Sequence, residues 1–216
     1  MLGEGKVGLA EVTVFSMNCI RTLSSGDEKF LKELVYCHKM IFPDSLQNIL
    51  GERYLMRSFY WYMINHKKRG ILVYEQGGRI IGFLTMRCSD DIDNYLKYIY
   101  KTIIWCFISK PALLLNFSLM KKMLNHKKSN KSLHDEKTHL ELVSIGVLPL
   151  FANKGIGKQL LKEFEKYAKN KKISLGTLQI FKKNKKAGKF YLSNGWSKKA
   201  MDFGEYDLFE KNIICD

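Results

Sequence analysis

Two glycines one residue apart, Gly155 and Gly157, stand between an apolar run and a stretch of helical periodicity, with Asn153, Lys154 and Lys158 around them. Glycine lets a backbone approach phosphate oxygens closely. A helix that starts there offers unpaired N–H groups and a partial positive charge. The chemistry this spacing predicts is anion binding by main-chain donors, with Lys154 and Lys158 adding cationic contacts. Two familiar glycine loops are excluded by their neighbours. A GxxxxGK[ST] loop needs glycine where Ala152 stands and Ser or Thr where Gln159 stands. A GxGxxG dinucleotide loop needs a third glycine, and Leu160 occupies that place.

Other reactive side chains form no such pattern. Five cysteines, Cys19, Cys37, Cys88, Cys106 and Cys215, are scattered without a CxxC pair. They read as free thiols in a reducing, cytoplasmic setting, not as a disulfide frame or a metal site. His134 and His139 match no motif. His38 lies on a helical stretch and is a candidate for acceptor binding. The 216 residues carry a net charge of +15, which attracts polyanions such as phosphorylated small molecules or acidic surfaces. The positive charge is mostly Lys, and Arg is the better phosphate and base fork, so sequence-specific nucleic-acid reading is not expected.

The elements that must position the loop follow from periodicity. Val12 to Met17 predicts a first strand, with Ser24 to Asp27 as helix caps and a helix from Phe30 to Ile41. The Phe42-Pro43-Asp44-Ser45 stretch stops it, and a second helix is expected from about Leu46 to Asn65. Its aromatics, Tyr54, Phe59, Tyr60, Trp61 and Tyr62, read as core packing or as the wall of an acceptor pocket. Ile71 to Glu75 and Arg79 to Met86, joined by Gln-Gly-Gly, predict a hairpin. Thr138 to Val147 predicts a strand in which Gly146 marks a bulge or a close approach. An amphipathic helix then runs from Gly155, followed by a strand at 177–181 and a helix over 185–193 closed by Asn194-Gly195. Strands near 197–203 and 206–212 complete a mixed α/β sheet flanked by helices.

In this frame ANKGIG (152–157) resembles the pyrophosphate loop of the Gcn5-related N-acetyltransferase (GNAT) family, which reads Arg/Gln-x-x-Gly-x-Gly/Ala. ELVSIGVLP (141–149) is similar to the family's fourth strand, and NKKAGKFYLSNGW (184–196) to its later Asn…Ala…Phe-Tyr…Gly segment. The match covers about 139–196 well and departs at Ala152, where Arg or Gln is usual. The resemblance implies one GNAT-like domain over 1–216, with splayed central strands, no metal, and acetyl-CoA as acyl donor to a small-molecule amine. It implies that Ile145, Gly146 and Val147 pair with pantetheine and polarise the thioester carbonyl. It implies that Asn153, Lys154, Gly155, Ile156, Gly157, Lys158 and Asn184 hold the rest of the donor. It assigns Glu141 as a general base and Tyr191 as the acid that protonates the leaving thiolate.

A hydrophobic and basic insertion at about 90–136 is longer than the family needs. Its middle, 95–124, is too interrupted by Lys101, Lys110 and Pro111 to span a bilayer. It reads as a membrane-surface helix or as an extra helical layer that covers the acceptor side or a dimer contact. With CHKMIFPDSLQNILG (37–51) it is similar to acetyltransferases of bacterial polysaccharide and amino-sugar pathways. That implies an amino-sugar amine on a nucleotide- or lipid-linked acceptor. A protein, polyamine or aminoglycoside amine, and a non-catalytic CoA-binding or membrane-associated assembly module, are the competing readings.

Overall fold

The computed structural model describes residues 18–109, 111, 138–201 and 204–214. The strand expected at 12–17, His134, and the insertion from 112 to 137 lie outside these residues. A seven-stranded sheet has the order β1-β2-β3-β4-β5-β7-β6, and only the β4–β5 pair is parallel.

β1 (Cys19–Leu23) pairs with β2 (Arg69–Gln76), which turns into β3 (Arg79–Cys88). The turn residues Gly77 and Gly78 both have positive φ, 59° and 74°. That is the two-residue hairpin geometry glycine tolerates best. Between β1 and β2 the chain forms helices. Asp27 does not cap the first of them. Its carboxylate accepts the Ser24 N–H at 2.9 Å and pairs with Arg21 at 3.1 Å, and a 3-10 turn, Glu28–Phe30, separates it from α1 (Leu31–Ile41).

The single helix expected over 46–65 is broken. Ser45 caps a short α2 (Leu46–Leu50), and Gly51 then leaves helical space at φ 104°. Residues Glu52–Tyr54 restart the helix, pass through a π-helical turn, Leu55–Tyr60, and continue as Trp61–Asn65; we label this run α3. An aromatic-rich sequence hides such a break because the glycine, not the rings, decides the backbone.

α4 (Ile92–Ser109) is the described part of the insertion. Its start is anchored where buried Asp91 pairs with buried Arg69. Ser58 hydrogen-bonds Thr102 at 3.0 Å, and Tyr98 stacks on Trp61. α4 therefore packs on α3 as an added layer. Among the described residues no helix is long and apolar enough to cross a membrane.

β4 (Leu140–Val147), α5 (Ile156–Asn170), β5 (Leu175–Phe181), α6 (Lys185–Leu192), β6 (Ser197–Lys198) and β7 (Tyr206–Asn212) complete the fold. β6 is shorter than the expected strand near 197–203; residues 202 and 203 lie outside the described set. Alternation along β2 and β3 feeds two cores. Ile71, Val73 and Phe83 face α1 and α3, while Leu72, Leu84 and Met86 face α5, whose Leu160, Leu161 and Phe164 are buried.

Candidate functional site

β4 and β5 pair over Leu140↔Gly176, Glu141↔Thr177 and Leu142↔Leu178 and then part, although β4 runs on to Val147 and β5 to Phe181. The cause lies on the other edge of β4. Thr85 pairs with Ser144 but Met86 with Leu142, so Val143 is an extra residue. Such a bulge bends its strand. Beyond it, β4 keeps β3 and leaves β5.

A cleft of about 880 Å³ opens in the gap. Leu148 N–H bonds the Ile81 carbonyl. By strand alternation the Gly146 and Ser144 amides face β3, and those of Ile145 and Val147 face the gap. The three expected amides thus divide into two available donors and one that is not. Gly146 has a different task. A Cβ there would lie 2.5 Å from Ile41 Cγ2 and 3.1 Å from Phe42 Cζ, so the missing side chain lets α1 touch the strand.

β4 ends at Leu148, and a 3-10 turn, Pro149–Phe151, leads to the glycine loop. Asn153 and Gly155 have positive φ, 62° and 78°. Gly155 is the residue from which α5 starts, and its carbonyl accepts Gln159 N–H at 3.1 Å. The N–H groups of Ile156, Gly157 and Lys158 precede the first intrahelical bond and remain for a ligand. Gly157 leaves room for α6, since a Cβ there would lie 3.3 Å from Phe190 Cζ, a tight contact. Asn153, Gly155, Ile156, Gly157 and Lys158 all line the cleft. Lys154 is not among the lining residues; its Nζ sits 5.2 Å from the Phe151 ring centroid.

From the other wall come Asn184 and Tyr191. Asn184 caps α6, its Oδ1 accepting the Ala187 N–H at 3.1 Å. Tyr191 is 4% exposed and packs against Phe190, Trp196 and Phe209. Burial pushes its phenol well above the ordinary tyrosine value, so it stays protonated. Glu141 is placed apart from these groups. It is buried, bonded to the guanidinium of its cross-strand partner Arg87 at 2.7 and 2.8 Å, and is not among the lining residues.

The cleft's far end is built by helices. His38 and Ser45 line it together with Phe42 and Phe59. His38 Nδ1 lies 2.6 Å from Tyr60 Oη, and Nε2 lies 3.0 Å from Ser45 Oγ. Burial pushes the imidazole down to about 4, leaving it neutral at pH 7, and pushes the Tyr60 phenol well up. Sequence reasoning singled out His38 but passed over Ser45, whose only visible signal was its place as a helix cap after Pro43-Asp44. Among the described residues no three His, Cys, Asp or Glu side chains gather into a metal-binding group.

Parted parallel strands, a bulge at their fork and a glycine turn opening a helix make an open cleft whose main-chain N–H groups suit an extended, anion-bearing ligand. A sequence profile of the Acetyltransferase (GNAT) family matches residues 37–196. The chain belongs to that family. As a GNAT protein it is an acetyl-CoA-dependent N-acyltransferase. No curated protein sequence matches it closely enough to count as a relative. Solved GNAT structures share its fold. PaiA N-acetyltransferase from Thermoplasma acidophilum, in complex with coenzyme A, is 19% identical with TM-score 0.55, covering 91% of this chain and 99% of that one. Aminoglycoside N-acetyltransferase AAC(6')-Iy, in complex with CoA, is 15% identical with TM-score 0.59, covering 88% and 95%. Arabidopsis thaliana NAA60, in complex with acetyl-CoA, is 18% identical with TM-score 0.55, covering 91% and 99%.

Proposed function

We propose that this GNAT protein acetylates a primary amine carried by an amino sugar, nucleotide- or lipid-linked, by direct transfer from acetyl-CoA. The observation that carries the reading is one cleft in which the parted edge of β4 and the α5 N-terminus face helices α1 and α2. A thioester held by main-chain donors on one wall meets an acceptor on the other. The net charge of +15 suits an acceptor that bears phosphate. The fold shared with an aminoglycoside N-acetyltransferase is consistent with an aminated sugar.

In this reading the Ile145 or Val147 N–H polarises the thioester carbonyl. Asn153, Gly155, Ile156, Gly157, Lys158 and Asn184 hold the rest of the donor, and Lys154 adds charge from outside the cleft. The free amine attacks the carbonyl carbon, a C–N bond forms, and the C–S bond breaks with its electrons on sulfur. Tyr191 donates its proton to that sulfur, and the amine's surplus proton passes through cleft water back to the phenol. The sum is amine plus thioester giving amide plus thiol. Glu141, held by Arg87, orders β4 instead of taking the proton.

Thiol release from acetyl-CoA against glucosamine, an aminoglycoside, a polyamine and a peptide N-terminus tests the reading, with turnover expected on glucosamine. Tyr191→Phe is expected to lower kcat about a hundredfold with the KM for acetyl-CoA unchanged; full turnover by this variant removes the acid role. Glu141→Gln is expected to lower the melting temperature and to keep kcat within about threefold, because it disturbs a buried pair and not a reacting group. A folded Glu141→Gln protein without turnover would restore the carboxylate as base.

We also infer that α4 rests on an anionic membrane surface. Tyr100, Ile104, Trp105 and Ile108 are exposed on it beside Lys97 and Lys101, a combination that suits an interfacial helix. Flotation with vesicles containing phosphatidylglycerol is the test. Protein that stays at the bottom of the gradient removes the membrane reading, and sedimentation as a homodimer that buries Trp105 argues for the dimer contact in its place.

A further inference from the structure

The transfer steps leave the hydroxyl of Ser45, on the lining of the cleft, without a task, and its hydrogen bonds can be followed to their end. Tyr60 is fully buried, and among the described residues its hydroxyl has a single hydrogen-bond partner, His38 Nδ1 at 2.6 Å. A buried phenol that keeps its proton must donate it somewhere, because a stranded donor costs the full desolvation of the group. Tyr60 therefore donates to Nδ1. A neutral imidazole carries one N–H. With Nδ1 accepting, that hydrogen is on Nε2 and is donated to Ser45 Oγ at 3.0 Å. The same oxygen accepts the Asn48 N–H at 3.1 Å, which is the cap of α2. A hydroxyl has two acceptor lone pairs and one hydrogen. Both lone pairs are taken, and only the hydrogen is left, on a residue that lines the cleft.

We propose that Ser45 is a specificity-determining residue of the acceptor half, whose hydroxyl donates to an oxygen of the acceptor substrate, be it a hydroxyl, carbonyl or carboxylate, and offers nothing to an ammonium. The word acceptor rests on the transferase reading of the cleft; the direction of the donor does not. The chain Tyr60, His38, Ser45 runs from the core outward and fixes this polarity. The partner it selects has an oxygen set apart from the amine that reacts, since a nitrogen that accepted the Ser45 hydrogen would have its lone pair engaged and could not attack, and an ammonium would find no acceptor there. His38 and Tyr60 act through Ser45 as positioning residues.

Two measurements on the full chain test it. The first is a long-range proton–nitrogen spectrum of the imidazoles, which needs no substrate. His38 is expected as the Nε2–H tautomer; the Nδ1–H tautomer would reverse the chain, point the Ser45 hydrogen at the imidazole and overturn the proposal. The second compares glucosamine with cyclohexylamine, a ring amine without oxygens. The wild-type protein is expected to prefer glucosamine in kcat/KM. Ser45→Ala is expected to cut that preference about fivefold to tenfold through the KM for glucosamine, the worth of one neutral hydrogen bond, while loss of the α2 cap affects both amines alike. Ser45→Thr, which keeps hydroxyl and cap, restores the preference. Ser45→Asp, which keeps the cap and replaces the donor by an acceptor, does not, and so separates hydrogen-bond direction from loss of the helix start. An unchanged preference in Ser45→Ala sinks the proposal. No thiol release by the wild-type protein from any amine would count against the transferase reading, and the tautomer would still decide which way the hydroxyl points.

Discussion

The two ends of the cleft are made of different material. The end toward α5 comes from one stretch of chain, β4 through α6, and works through backbone: the Ile145 and Val147 amides in the gap and the first N–H groups of α5. The end toward α1 is assembled from side chains on three helices, with His38 on α1, Ser45 at the start of α2 and Tyr60 on α3. A backbone site depends on φ and on what has been left out, and it tolerates changes of surface side chain. A side-chain site depends on protonation and on the packing that fixes each ring. The lesson is that one wall is set by steric permission and the other by burial.

Acid breaks the side-chain end first. His38 is depressed to about 4 from 6.5, so its stabilising neutrality is complete above pH 6.5 and is lost as pH falls to 4. The loss amounts to roughly 3 kcal/mol. Thermal midpoints across pH 7 to 4 are expected to fall accordingly, and His38→Gln is expected to flatten that part of the slope. Acetyl-CoA affinity should hold over the same range wherever the chain stays folded.

Backbone strain breaks the other end. Gly155→Val places a β-branched residue at φ 78°, with open space around it, so the cost is conformational. An expense of about 2 kcal/mol would weaken acetyl-CoA binding roughly thirtyfold by calorimetry, while the His38 tautomer stays as it was. Gly146→Ala attacks the seam between the ends. Its Cβ would stand 2.5 Å from Ile41 Cγ2, and an overpacked contact of this kind costs about 1–3 kcal/mol, read as a lower melting temperature. The smallest effect sharpens the contrast. Ala152 lines the cleft where Arg or Gln is usual in the family, and Ala152→Arg is expected to tighten acetyl-CoA binding about fivefold through a charge-assisted contact without moving acceptor KM.

The backbone end was legible in the sequence because glycine spacing is a direct record of backbone need. Gly155 and Gly157 announced the turn, Gly146 announced a close approach, and the Gly77-Gly78 hairpin fell where expected. What approaches Gly146 was not legible: it is Ile41, distant in sequence. The side-chain end stayed hidden for the same reason. Ser45 read only as part of the stretch that stops the first helix; it also caps α2, and nothing local reveals that His38 meets it and Tyr60 meets His38. Likewise Glu141 was marked out as a base by resemblance, and its pairing with Arg87 follows from strand register, which no local pattern shows. The helix break at Gly51 was overlooked because apolar periodicity continues on both sides of it.

With only hydrogen at Gly146, the proposed floor beneath the amine's seat and the proposed ceiling above the thioester are the same ribbon of peptide. Whatever nudges Ile41 from one room is felt in the other within a single bond's thickness. On that reading no insulating layer separates the two substrates, and the arrival of either is expected to show in the on- and off-rates of its companion.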